Sequence, residues 1–145
     1  MSTIFEEHPV GVRAKISALW IAMLFLFAYG DIFGFFVPGH LEEIIRGEVS
    51  GIEITQLFLF AVSVYAAIAS LMIFLTLVLK PKVGRWTNIV AAILYIVSIV
   101  ASAIGVADAY YLFLSVVESA LLVLVIGYAR TWPANAAARE RRTDR

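Results

Sequence analysis

A chain of 145 residues, 62% hydrophobic and 15% charged, is more apolar than a soluble domain of this size. Its formal net charge of zero gives no electrostatic footing for nucleic acid. The absence of cysteine excludes structural disulfides and thiolate metal sites.

Four apolar runs organise the sequence, at about 16–37, 55–79, 86–107 and 109–129. Each is close to the roughly 20 residues that an α-helix needs to cross a hydrocarbon core of about 30 Å. The first is too long for the hydrophobic region of a signal peptide and reads as a retained span. It carries Trp20 near its start and Tyr29-Gly30-Asp31 near its end, and Pro38-Gly39 is expected to close it. In the following loop, Leu41, Ile44 and Ile45 recur at helical spacing among Glu42, Glu43 and Arg46, which predicts a short amphipathic surface helix. Gly47 and Gly51 are expected to end or bend it.

The second run is almost unbroken, with Gln56, Ser63 and Ser70 on one face and Tyr65 near mid-depth. Lys80 to Arg85 reads as a tight turn. Along the third run Asn88, Ala91, Tyr95, Ser98, Ser102 and Gly105 form one stripe. Asn88, Ser98, Ser102 and Gly105 are therefore expected to pack against other helices, with Ile99 and Val100 turned to lipid. Asp108 marks a short turn, so the third and fourth spans should form a tight antiparallel hairpin. Trp132-Pro133 is expected to stop the last helix.

The basic residues set an orientation. Ten of the eleven fall before the first span, between the second and third, or after the fourth; Arg46 alone lies elsewhere. The positive-inside rule then places both termini in the cytoplasm. The expected fold is an all-α integral membrane four-helix bundle, N-in and C-in. It forms one domain over 1–133, followed by a charged cytoplasmic tail over 134–145.

Glu118 is the candidate working group. It lies about nine residues into the fourth run, near the bilayer midplane, where insertion scales put a carboxylate at roughly +2.5–3.5 kcal/mol. Such a group must be protonated or paired inside the bundle. It is either a proton or substrate site, or a structural carboxyl bonded across a helix interface, with Tyr65 and Tyr95 as the expected donors. Asp31, nearer the end of the first span, either lines a vestibule or caps the surface helix. With His8 in a tail and His40 in a loop, bis-histidine haem ligation inside the bundle is unavailable. No metal, cofactor or catalytic constellation is indicated, and an enzyme acting on lipid ranks last.

Tyr29-Gly30-Asp31-x-Phe33-Gly34, Val37-Pro38-Gly39, Arg85-Trp86-x-Asn88, Val117-Glu118 and Trp132-Pro133 together resemble a family of small bacterial membrane proteins of unknown function. The resemblance implies a four-span bundle in the bacterial cytoplasmic membrane and assigns no activity. Two functions are carried forward. One is a small proton-coupled transporter or channel-like protein using Glu118, with a homo-oligomer as its expected assembly. The other is a non-catalytic accessory subunit of a larger membrane complex.

Overall fold

The computed structural model describes residues 10–143, with side chains described as far as Trp132. The expected N-terminal tail before residue 10 and the last two residues of the C-terminal tail lie outside the described residues. Four long helices carry the fold: α1 (Val12–Gly34), α3 (Gln56–Val78), α4 (Pro81–Ala103) and α5 (Ala109–Thr143). All four are long and apolar enough to cross a membrane, the last over Ala109–Trp132. Between α1 and α3 lie the short helix α2 (His40–Ile45) and two strands, β1 (Glu48–Val49) and β2 (Ile52–Glu53).

Several boundaries differ from the sequence expectation for identifiable reasons. Pro81 is the first residue of α4, where its fixed φ suits a helix and its missing N–H costs nothing. The expected 80–85 turn therefore shrinks, and Lys82 to Arg85 are helical. Helix α4 ends at Ala103, and Gly105 lies beyond it with φ +83°. Gly105 is thus a turn residue and not part of the packing stripe. Helix α1 stops at Gly34, before Pro38, and Gly39 with φ +88° starts α2. Nor does Pro133 stop the last helix: α5 continues to Thr143 through an alanine-rich segment of high helix propensity. The β1–β2 pair was not anticipated. Ser50 (φ 50°) and Gly51 (φ 77°) make its two-residue turn, the primed geometry whose twist suits a hairpin.

Around the bundle, α3 packs on α1, α1 on α5 and α5 on α4; α3 and α4 touch over little of their length. Gly30 and Gly34 of α1 face α5, and a Cβ at either would make ordinary contact with it. A Cβ at Gly30 would stand 3.5 Å from Leu114 Cδ1, and one at Gly34 would stand 3.7 Å from the Tyr110 hydroxyl. At the opposite, basic end, Gly84 lies so close to Trp132 that a Cβ there would meet the ring at 2.8 Å. Arg13 stacks over the same ring at 5.1 Å.

The basic half of the bundle is solid. Ile16, Trp20, Met23, Leu122, Val125, Asn88 and Thr76 are its largest fully buried side chains. Trp20 Nε1 donates to Asn88 Oδ1 at 2.8 Å, and the Thr76 hydroxyl lies 2.9 Å from the same oxygen. Asn88 Nδ2 donates to the Gly84 carbonyl at 2.8 Å. One asparagine thereby ties α1, α3 and α4 together where lipid leaves polar groups no other partner.

Candidate functional site

The hairpin half of the bundle is hollow. A cavity of about 630 Å³ runs from Ile99 and Glu118 in the interior to Val49, Ser50 and Ile52 of the hairpin. Helix α1 contributes Leu24, Phe27, Ala28 and Asp31, one face at steps of three and four. Helix α3 supplies Phe58, Val62, Tyr65 and Ala66; α4 supplies Ser98 and Ser102; α5 supplies Tyr111, Ser115 and Glu118. Below the cavity the Trp20–Asn88–Thr76 lock closes the bundle. Above, exposed residues such as Asp31 and Val62 open it to the surface.

Glu118 sits deep in this space. Its side chain is buried, with 6% of the residue exposed, and makes no hydrogen bond or ion pair with the described residues. The hydroxyls expected to reach it are engaged elsewhere. Tyr65 and Ser98 share a 2.6 Å hydrogen bond, Ser98 donates to the Tyr95 carbonyl at 2.9 Å, and Tyr95 donates to the Tyr65 carbonyl at 2.5 Å. Because Ser98 spends its proton on Tyr95, Tyr65 is the donor in the first of these bonds. Tyr111 donates to Ser102 at 2.8 Å.

Of the four residues singled out for a proton or substrate site, Glu118, Tyr65 and Asp31 line this one cavity. Tyr95 stands behind its wall. Its ring lies 4.5 Å from that of Tyr65, and it faces a separate apolar groove of about 680 Å³ between α3 and α4. The closed loop of bonds through Tyr65, Ser98 and Tyr95 is the partition between cavity and groove. Among the residues expected to pack helices, Asn88 does so fully, while Ser98 and Ser102 form cavity wall. Ile99, expected to face lipid, is in the core at 4% exposure; Val100 is exposed as expected. The aromatic lining from Phe27 and Phe58 was not foreseen, because an aromatic residue on an apolar helix carries no mark of which neighbour it will meet; Tyr111 shares a helical face with Ser115 and Glu118 and lines the cavity with them.

The register of α1 on α5 sets the spacing of the two carboxylates. With Gly30 beside Leu114, Asp31 lies nearer the hairpin end than Glu118 by roughly 7 Å of helical rise. One acid is at the mouth and the other at the floor. Among the described residues, no lysine, arginine or histidine lines the cavity.

Residues 2–139 match a family described as a family of unknown function, DUF6326. The chain belongs to that family. No curated protein and no solved structure matches it.

Proposed function

We propose that this protein is a small proton-coupled membrane transporter in which Glu118 holds a proton and a ligand in turn. The observation that supports it is Glu118, a residue buried in the bundle whose carboxyl has no hydrogen-bond partner among the described residues and opens onto a cavity that reaches the surface. Inside a bilayer such a carboxyl is costly unless it is protonated or paired. A bundle that used it only for structure would give it a hydrogen-bond partner, as Asn88 has. The asymmetry of the fold also fits a carrier: a solid, hydrogen-bonded half closes one end and a hollow half opens at the other. Alternating access requires one end closed while the other is open.

A second function has one observation in its favour. An accessory subunit would use the apolar α3–α4 groove as a seat for a partner helix. The same preparation separates the two. Purified protein is reconstituted into liposomes with an imposed pH gradient, and uptake is measured for cationic, anionic and neutral solutes. A carrier accumulates at least one class, and Glu118→Gln abolishes that accumulation while its expression and melting temperature stay near wild type. No gradient-driven uptake of any class, together with stoichiometric co-purification of a second membrane protein in mild detergent, would replace the carrier by the accessory subunit.

A further inference from the structure

We infer that the cavity is a binding site for a monovalent organic cation with an apolar, aromatic-sized body. The inference rests on Glu118 being the working group of this cavity, and it names what that group holds besides a proton.

Three features of the lining converge on that chemistry. The first is sign. Glu118 at the floor and Asp31 at the mouth are the carboxylic acids of the lining, and among the described residues no basic side chain of the lining offsets them. An anionic ligand would meet uncompensated like charge. The second is the buried carboxyl itself. At 6% exposure, with no hydrogen-bond partner among the described residues, Glu118 is a strong acceptor for a charge brought in from outside. The third is the wall. Phe27, Phe58, Tyr65 and Tyr111 surround the approach to Glu118, and Phe27 stacks on Tyr65 at 5.9 Å between ring centroids. Aromatic faces attract cations and also cover apolar bodies.

The same features argue against a bare metal cation. Hard cations take roughly six to eight oxygen ligands in a compact shell. Here the hydroxyls of Tyr65, Ser98, Tyr111 and Ser102 are bonded to each other, and most of the wall is carbon. The volume of about 630 Å³ falls within the roughly 300–1,000 Å³ range of pockets that hold drug-sized ligands.

Proton and cation then compete for one carboxylate, so binding weakens as pH falls. The titratable side chains that share the cavity with Glu118 are Asp31 from α1, Tyr65 from α3 and Tyr111 from α5. The α4 wall, Ser98, Ile99 and Ser102, contributes no titratable group. Asp31 lies at the exposed mouth and both tyrosines are hydrogen-bonded, which leaves Glu118 as the group whose proton a bound cation displaces.

The test uses a matched pair of probes, tetraphenylphosphonium and tetraphenylborate, which share size and shape and differ in sign. Binding to the full chain in detergent is measured by calorimetry across pH. The expected result is one tetraphenylphosphonium per chain, affinity rising with pH, proton release on binding, and no saturable tetraphenylborate binding. Glu118→Gln should weaken cation binding at least tenfold, about 1.4 kcal/mol. Should that variant not fold, Ser115→Leu is the second variant; it fills the floor beside Glu118 with carbon and should also abolish binding. Equal binding of the two probes, or cation binding untouched by either variant and by pH, would overturn the inference. Glu118-dependent cation binding without gradient-driven uptake would retire the carrier and leave the cation site. Uptake of an anion or neutral solute without cation binding would do the reverse.

Discussion

At the residue scale, two helical glycines do opposite things. Gly84 in α4 has no room for a side chain, because a Cβ would meet the buried Trp132 ring at 2.8 Å. Gly127 in α5 has nothing within 4 Å of the same position. Alanine at Gly84 must push a packed ring that Arg13 covers, and overpacking of that kind costs about 1–3 kcal/mol. Alanine at Gly127 removes only the flexibility of glycine in a helix, worth roughly 0.5–1 kcal/mol in favour of the fold. Thermal unfolding in detergent should therefore show Gly84→Ala below wild type and Gly127→Ala at or above it. Equal shifts in the two variants would contradict the close Gly84–Trp132 approach. Neither role is visible in the sequence, where Gly84 falls in the expected 80–85 turn and Gly127 in the last apolar run. What separates them is a partner more than forty positions away.

At the element scale, the weak neighbours are α3 and α4. They are joined by a short connection yet contact each other little, and an apolar groove runs between them. Their mid-depth attachment is the bonded loop of Tyr65, Ser98 and Tyr95. Tyr95→Phe keeps the ring, which packs on Trp20 and Tyr65, and deletes the hydroxyl that reaches the Tyr65 carbonyl. Polar contacts between membrane helices contribute about 0.6–1.7 kcal/mol, so the fold should survive and the seam should loosen. Hydrogen exchange should rise in α3 around 65–70 and stay unchanged in α5 around 118–126. Unchanged exchange in α3 would show that ring packing alone holds the seam. The four helices themselves were legible because long apolar runs admit few alternatives in lipid. Their ends were less so: a proline reads as a stop in sequence, yet Pro81 opens α4 and Pro133 lies inside α5. The hairpin escaped notice because two-residue strands leave almost no periodicity to read, although Ser50-Gly51 between Val49 and Ile52 is a turn signal.

At the scale of the whole molecule, the candidate site was half legible. Glu118, Asp31 and Tyr65 stood out because polar groups in apolar runs are conspicuous. That they share one cavity depends on the order of the helices around the bundle, which no single run encodes. The orientation of that cavity is the remaining global property, and the distribution of charge makes an expectation for it. Arg13, Lys15, Lys80, Lys82, Arg85 and Arg130 gather at one end of the helices, while Glu42, Glu43, Glu48 and Glu53 lie at the other with the hairpin. By the positive-inside rule we propose that the solid, basic half lies on the cytoplasmic side, so that the cavity would open outward. The native chain lacks cysteine, so single cysteines report cleanly. Ser50→Cys and Glu53→Cys place a thiol on the exposed hairpin, and Lys82→Cys and Val83→Cys place one on the exposed start of α4. A membrane-impermeant maleimide added to intact cells should label the first pair at once and the second pair only after permeabilisation. The reverse pattern would turn the cavity towards the cytoplasm. Labelling of all four sites from outside would mean that the four helices do not span the membrane as one antiparallel bundle.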